Sequence, residues 1–140
     1  MNRKKRTEIL IRGSADVAGK LAREILNRYD VTTVEEANNG MVMVKIRESA
    51  QRSLFYLGEV FITECKVMIN GHLGIGMVKG HEPEIAYSLA VIDAACNADL
   101  PETKAWEGLL LLEQNRINKA YAAFMQKILK TKVNFDTMDV

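Results

Sequence analysis

Residues 66–80 read KVMINGHLGIGMVKG, and this stretch predicts the β-hairpin that decides the fold. Asn70-Gly71 is the residue pair most favoured in a two-residue turn between antiparallel strands. The pattern predicts strands from about Ser53 to Ile69 and from His72 to Lys79. One face of this hairpin then lacks side chains at two adjacent positions, because the pairs across the ladder are Val67 with Gly74, Cys65 with Gly76 and Thr63 with Val78.

The residues after the hairpin predict a buried helix over residues 82–98. Pro83 is tolerated in a first helical turn, and Glu82 and Glu84 favour the positive end of the helix dipole. The helix is apolar on nearly every side, which is typical of a buried helix. One stripe of this helix consists of small side chains and permits a close approach to the sheet or to another subunit. Its members are Ala86, Ala90 and Ala94.

The residues before the hairpin predict two helices and more sheet. Residues 1–30 are expected to hold a short helix from Thr7 to Arg12 and a second helix that Ser14 caps. Residues 31–80 are expected to form the antiparallel sheet. A turn at Asn38-Asn39-Gly40 would introduce a strand around residues 42–46, and Gly58 would mark a β-bulge or a close backbone approach.

The C-terminal part of the chain predicts a long helix. Apolar residues recur at helical spacing over residues 101–131. Gly108 and the four leucines that follow it leave two possibilities, one long helix or two collinear helices. The apolar residues of segment 132–140 recur at a shorter period, so we expect this segment to be a tail that docks into a hydrophobic site.

These elements predict one α+β domain over residues 1–140, with an antiparallel sheet of about four strands. N-terminal helices, a buried central helix and a long C-terminal helix complete the expected architecture. A chain of 140 residues with 48% hydrophobic and 26% charged residues is long enough to bury a core. Cys65 and Cys96 lie in apolar patterns, and we expect both to be thiols in a reducing compartment.

Charge and hydropathy narrow the range of partners. The chain has 19 basic and 18 acidic residues, a balance that creates no broad positive field for nucleic acid. The basic run Arg3 to Arg6 contains no aromatic residue, so we interpret it as a solvated terminus. Neither a signal-peptide pattern nor a membrane-spanning stretch is visible, and a cytoplasmic protein is expected.

The sequence lacks the usual signatures of metal and phosphate sites. Cys65, His72, His81 and Cys96 lack the close pairs of a zinc site, and no metal is predicted. Gly74-Ile75-Gly76 follows a hairpin strand, so these glycines are interpreted as structural, not as a dinucleotide loop. Gly80, just before a helix N-terminus, leaves room for an anion.

Three acidic residues are the only weak candidates for catalysis. Asp93 lies in the middle of the apolar helix, where burial demands a partner, and a salt bridge is the usual explanation. Glu59 and Glu64 lie on the long strand, where exposure to solvent is the simplest interpretation. No serine, histidine and aspartate constellation suggests a hydrolase.

The whole pattern resembles the PhnG family, the G subunit of the bacterial carbon–phosphorus lyase system. The ending Thr131-Lys132-Val133-Asn134-Phe135-Asp136-Thr137-Met138 is similar to that family's terminal T-x-V-x-F-x-T-M signature. The resemblance covers essentially the whole chain and is strongest from Gly58 to Ala94. The positions that carry it there are Gly58-Glu59, Thr63-Glu64, Val67, Gly71, Gly74, Gly80, Ala86, Ala90 and Ile92-Asp93-Ala94.

The resemblance implies a role in organic phosphonate catabolism. With the H, I and L subunits, such a protein is needed to form α-D-ribose 1-methylphosphonate 5-triphosphate from MgATP and methylphosphonate, with release of adenine. The G, H, I and J subunits form the core complex of that family, and the G subunit has no established catalytic residues. MgATP would then be a substrate of the complex, and no cofactor is expected on this chain alone.

We therefore expect a structural or accessory subunit, inactive alone. The residues expected at its subunit interface are Gly74, Gly76, Ala86, Ala90, Phe135, Thr137 and Met138. One alternative is that Glu59, Glu64 or Asp93 contributes directly to a shared active site. Another is an unrelated α+β module that binds a small ligand.

Overall fold

The structure, a computed structural model, describes residues 1–47, 49–50 and 52–138, with side chains described only as far as Lys132. Within these residues the fold is α+β, with four helices and one antiparallel sheet of three strands. The predicted fold class is thus confirmed. The elements are α1 (Arg3–Arg12), α2 (Ala15–Leu26), β1 (Thr32–Arg47), β2 (Leu54–Ile69), β3 (His72–Lys79), α3 (Pro83–Asn97) and α4 (Pro101–Met138).

The hairpin between β2 and β3 forms as predicted. Asn70 and Gly71 occupy the turn with positive φ angles of 49° and 78°, the combination that a type I′ turn requires. The register is also confirmed, since Val67 pairs with Gly74, Cys65 with Gly76 and Thr63 with Val78.

The sheet has three strands, so the prediction of about four strands is wrong by one. Asn38, Asn39 and Gly40 do not form a turn but lie inside β1. Two shifts in the pairing of β1 with β2, between Thr33 and Glu35 and between Glu35 and Asn38, absorb the extra residues as β-bulges. The polar cluster therefore marks an irregularity in one long strand and not a boundary between two.

The bulge expected at Gly58 is present. The register of β1 and β2 shifts between Val44 and Lys45, which pair with Gly58 and Tyr56, so Leu57 is the extra residue. A Cβ atom at Gly58 would meet nothing within 4 Å. This glycine thus marks a bulge and not a close backbone approach.

Helix α3 lies at the centre of the molecule. It packs on β2 and β3 with one side and on α2 with another, and eight of its residues, from Ala86 to Ala95, are buried. The sequence predicted this all-round burial from the apolar residues on nearly every side of the helix. The largest fully buried hydrophobic side chains come from α3 itself and from the elements around it: Ile92 and Val91 of α3, with Trp106, Leu21, Ile25, Ile69 and Val67.

The alanine stripe of α3 lies directly on the bare face of the hairpin. A Cβ atom at Gly74 would overlap the carbonyl oxygen of Ala90 and the backbone nitrogen of Ala94. A Cβ atom at Gly76 would overlap the carbonyl oxygen of Ala86. Of the two partners predicted for this stripe, the sheet of the same chain is the one that the structure shows.

Helix α4 is one continuous helix from Pro101 to Met138, so no break follows Gly108. It also extends past residue 131, where the sequence predicted a separate tail. The side chains of Phe135, Thr137 and Met138 lie outside the described residues, and their docking stays a prediction. No helix among the described residues has the length and apolarity needed to cross a bilayer.

We predict that Gly76→Ala lowers the free energy of unfolding by about 1–3 kcal/mol, the usual range for overpacking a close contact. The added methyl group would collide with the backbone of α3 at Ala86. Urea denaturation of the isolated chain measures the effect. Gly40→Ala is the matched control, because Gly40 also lies in a strand and a Cβ atom there would meet nothing within 4 Å; equal losses for both variants would contradict the prediction.

Candidate protein-interaction surfaces

Asp93 is held in a buried ionic network. Its side chain accepts hydrogen bonds from the guanidinium groups of Arg3 at 3.0 Å and Arg6 at 2.8 Å. It also accepts one from the backbone N–H of Ile75 at 2.9 Å. The salt bridge expected for this residue is confirmed, and with only 4% of Asp93 exposed its carboxylate serves the packing of α1, α3 and β3.

The same network corrects the interpretation of the N-terminal basic run at one position: Arg3, Lys4 and Lys5 are exposed as predicted, but Arg6 is not. Arg6 is almost covered, with 11% of its side chain exposed, and Arg3 shares its partner. The sequence predicted a solvated terminus because the long-range partner, Asp93, lies 87 residues away from Arg6 in the chain. Only the folded structure brings the two together.

Helix α3 also covers part of the free edge of β3. Asp93 binds the backbone N–H of Ile75, and one helical turn later Asn97 donates to the carbonyl oxygen of Leu73 at 2.8 Å. An edge strand exposes such groups as a template for pairing with another chain. These two side chains therefore protect the β3 edge from strand addition.

The other two candidate acids lie elsewhere on β2. Glu64 is partly exposed and forms an ion pair of 3.6 Å with Lys66, which also contacts Glu35 at 3.2 Å. The hydrogen bond from Lys66 lowers the pKa of Glu35, and the bond to Glu35 raises the pKa of Lys66. Glu59 is exposed, and among the described residues no hydrogen bond or ion pair joins it to Glu64 or Asp93.

The cysteines and histidines are dispersed. Cys65 is buried and Cys96 is half-buried, both as free thiols, and burial raises the pKa of each. His72 lies beside the turn, with Nδ1 3.1 Å from the carbonyl oxygen of Asn70, and His81 Nδ1 lies 3.0 Å from Asn39 Oδ1. Over residues 1–47, 49–50 and 52–138, no three His, Cys, Asp or Glu side chains come together in a way that could hold a metal ion.

The side chain of Thr63 holds the start of α3. The hydroxyl of Thr63 donates to the carbonyl oxygen of Gly80 at 2.6 Å and accepts from the backbone N–H of Glu82 at 3.0 Å. Gly80 has a φ of 85°, which favours glycine. This residue therefore turns the chain from β3 into α3.

A cleft of about 990 Å³ lies between α1 and strands β2 and β3. Its lining mixes apolar side chains, including Ile11 and Met77, with charges of both signs: Arg3, Lys4, Arg12, Glu8 and Glu64. Arg12 pairs with Glu8 at 3.3 Å, and Arg3 pairs with Asp93. The cleft therefore has little of the unbalanced positive charge that a triphosphate requires.

Four of the predicted interface residues lie inside the chain. Gly74 and Gly76 are covered by α3, and Ala86 and Ala90 are fully buried. Their small size serves the contact between helix and sheet, so they present no surface to another subunit in this fold. The sequence pattern correctly indicated a close contact but did not specify which partner makes it.

The outer half of the β1–β2 hairpin is the first large exposed apolar surface. Strand β3 pairs with β2 only from Ile62 to Ile69, so the remainder extends past it as a two-stranded ribbon. We call residues 40–47 and 54–61 the β-arm. It exposes large apolar side chains along both strands: Met41, Val42, Met43, Ile46, Leu54, Phe55, Tyr56, Leu57 and Phe61.

The β-arm has the properties of an unpartnered interface. Consecutive residues of a strand point to opposite faces, and the adjacent residues Phe55, Tyr56 and Leu57 are all exposed. Both faces of the ribbon are therefore apolar. A two-stranded ribbon is marginally stable in water without a further layer, and contiguous exposed apolar surface marks sites of protein interaction.

The second exposed apolar surface is the part of α4 that extends beyond the core. Trp106 and Leu110 are buried and Ile117 is partly buried. Farther along the helix the large apolar side chains are exposed: Tyr121, Phe124, Met125, Ile128 and Leu129. Within the part of α4 whose side chains are described, the chain's own core therefore uses the helix as far as Ile117.

Sequence reasoning missed both surfaces, although signals for them exist. The runs Met41-Val42-Met43-Val44 and Leu54-Phe55-Tyr56-Leu57 do not alternate with polar residues as a half-buried strand does. The apolar spacing of α4 was found, but spacing does not show where the core ends.

Comparison with known proteins gives one family match. The model of the family described as "Phosphonate metabolism protein PhnG" matches residues 1–139. No curated protein matches the chain.

We predict that Asp93→Asn lowers the free energy of unfolding by about 2–4 kcal/mol, because it leaves the mostly buried Arg6 without its counter-charge. Glu64→Gln is the control, with an expected change within about 1 kcal/mol, since its ion pair with Lys66 is partly exposed. Thermal and urea unfolding of the isolated variants measure both values. A stable Asp93→Asn protein would show that the network is dispensable for folding and would revive a functional role for this carboxylate.

Proposed function

The chain belongs to the PhnG family of phosphonate metabolism proteins, and from this premise we propose that it is a non-catalytic subunit of the carbon–phosphorus lyase system. Family membership establishes the role in phosphonate metabolism and replaces the alternative of an unrelated ligand-binding module. The proposed reaction of the assembly joins MgATP and methylphosphonate into α-D-ribose 1-methylphosphonate 5-triphosphate and releases adenine. It would take place in the cytoplasm with the H, I and L subunits, next to the J subunit.

One observation carries the proposal of an accessory role. The β-arm exposes apolar side chains on both faces of a ribbon that the chain's own core does not cover. A monomer that functioned alone would leave this surface in water at a considerable cost, of about 25 cal/mol for each Å² of apolar area that stays unburied. A partner subunit that packs on the β-arm removes that cost.

The chemistry of the reaction supports the same assignment. Displacement of adenine requires a site that holds a triphosphate and magnesium, stabilises positive charge on the ribose and excludes water. The charged side chains around the cleft between α1, β2 and β3 are of both signs. Asp93, the most buried of the candidate acids, is already neutralised by two arginines. We therefore propose that the groups that bind MgATP belong to a partner subunit.

A second candidate function rests on Glu59. This acid is the candidate that is both exposed and located on the β-arm. If a partner subunit docks on the β-arm, Glu59 would be carried into the interface and could reach a shared active site.

We predict that Phe55→Ser combined with Tyr56→Ser weakens association with the H, I and J subunits by about tenfold or more. Truncation of aromatic anchors at an interface commonly costs 2 kcal/mol or more. Co-expression with a tagged partner, followed by purification and quantification of each subunit, measures the loss. Because both side chains are exposed in the isolated chain, its melting temperature should hardly change.

The matched control is Leu26→Ser, which removes an exposed apolar side chain at the end of α2 and should leave assembly intact. Complete assembly of the double variant would remove the β-arm from the interface. If the wild-type chain alone converted MgATP and methylphosphonate, the proposal of a non-catalytic subunit would be wrong.

Glu59→Gln separates the two candidate functions. An accessory role predicts an intact complex with unchanged turnover. Direct participation predicts an intact complex whose kcat falls by two orders of magnitude or more, as is typical for loss of an acid or base in catalysis.

A further inference from the structure

The part of α4 beyond Glu113 combines an exposed apolar stripe with a strong excess of positive charge. We call residues 114–132 the distal segment. It contains five basic residues, Arg116, Lys119, Lys127, Lys130 and Lys132, and none of the chain's 18 acidic residues. The rest of the chain has 14 basic and 18 acidic residues, so the distal segment has a formal net charge of +5 and the remainder a formal net charge of −4.

Most of this charge is not neutralised within the segment. Arg116 pairs with Glu113 at 2.6 Å, which accounts for one of the five cations. Lys119, Lys127 and Lys130 have no acidic residue within four positions on either side, whereas Lys132 precedes Asp136 by four residues. Like charges on one helix repel each other, and a nearby anionic surface removes that penalty.

The apolar residues form anchors of a recognisable kind. Tyr121, Phe124, Met125 and Ile128 follow the spacing i, i+3, i+4, i+7, and all four are exposed. This spacing is that of an amphipathic helix which lays one face into a hydrophobic groove of another protein. At about 100° per residue, Lys119 and Lys130 lie on the opposite side of the helix from Tyr121.

The exposed apolar stripe of the distal segment continues a stripe of α4 that already packs against the chain's own core. Trp106, Leu110 and Ile117 precede Tyr121 on the same face of α4, and they contact the chain's own core. Next to them, α1 lies against α4, with Gln114, Ile117 and Asn118 beside Arg12 and Ile9. The distal anchors therefore extend a face of α4 that already packs against protein, and a folded partner can continue that packing.

A second copy of the chain is a poor occupant. Two distal segments side by side would bring like charges together. The other large apolar surface, the β-arm with its connecting loop over residues 40–61, contains three basic and two acidic residues, so it does not provide an acidic complement. The occupant that matches both properties is a different protein.

We propose that the distal segment docks into an apolar groove with acidic walls on a partner subunit of the phosphonate-processing assembly. This inference rests on the proposed function, because it assumes an assembly. It goes further in specifying the docking element and the chemistry of the surface that receives it. Tyr121, Phe124, Met125 and Ile128 enter the groove, and the negative field of its acidic walls attracts the lysines of the distal segment.

The test uses the full-length chain and measures its Kd for the purified H, I and J subunits by biolayer interferometry. Phe124→Ser with Ile128→Ser is expected to raise the Kd by about tenfold or more. Lys127→Glu with Lys130→Glu is expected to raise it by a similar factor at about 0.05 M salt, and by much less at about 1 M salt, where the charges are screened. Circular dichroism of each variant checks that the fold is kept.

Lys20→Glu with Lys104→Glu is the matched control. It makes the same change in net charge at exposed lysines outside the distal segment, and we expect an unchanged Kd. If the wild-type chain bound none of the three subunits, the proposed function would fail and this inference with it. If the wild-type chain and both distal variants bound equally well, the inference alone would be refuted and the assembly role would stand.

Two further measurements distinguish other occupants. Flotation with vesicles of phosphatidylcholine and phosphatidylserine tests a membrane: vesicle binding that the distal variants lose, with subunit binding retained, overturns the proposal. Light scattering of the isolated chain tests a second copy: a dimer that the distal variants dissolve also overturns it. The proposal is supported if the wild-type chain is a monomer that does not bind vesicles and if both distal variants lose binding to the subunits.

Discussion

The contact between α3 and the bare face of β3 is the constraint on which the remaining structure depends. Gly74 and Gly76 leave room for the backbone of α3 at Ala86, Ala90 and Ala94, at a distance that no larger residue would allow. At this separation the side chains of α3 reach the β3 edge. Asp93 and Asn97 bind the backbone of Ile75 and Leu73, and Asp93 in turn holds Arg6 and thus α1.

This arrangement covers one edge of the sheet and leaves the other edge uncovered. The β3 edge is covered by polar side chains of α3, whereas β1 is an edge strand that pairs only with β2. Beyond β3 the ribbon of β1 and β2 continues with apolar residues on both faces. The compact part of the chain is therefore a base from which the β-arm and the end of α4 extend, as the proposed docking to other subunits requires.

The chemical character of the chain agrees with such a role in phosphonate metabolism. Its buried carboxylate is paired, its thiols are buried or half-buried with raised pKa values, and its cleft mixes charges of both signs. The features without a partner in the described residues are surfaces: an apolar ribbon and a basic amphipathic helix. Surfaces of this kind mark sites of protein interaction, which supports the proposed accessory role.

Local sequence determined the hairpin, its register and the all-round burial of α3. Asn70-Gly71 specifies a turn with two positive φ angles, and that turn sets the pairing of every residue up to Thr63 and Val78. These features depend on neighbours within a few residues, so the pattern of the chain contains the information. The family resemblance, too, was visible in the residues themselves, and the family match confirms it.

Tertiary structure alone decided which surfaces are inside and which are free. Glycines and alanines indicate a close contact, but their partner is a helix of the same chain and not another subunit. Arg6 became part of the core because the fold brings it to Asp93. The β-arm and the distal segment have the apolar spacing of buried elements, and they are exposed because the core ends before it reaches them. The local pattern marked these two surfaces as apolar, but whether they are covered depends on how far the core extends in space.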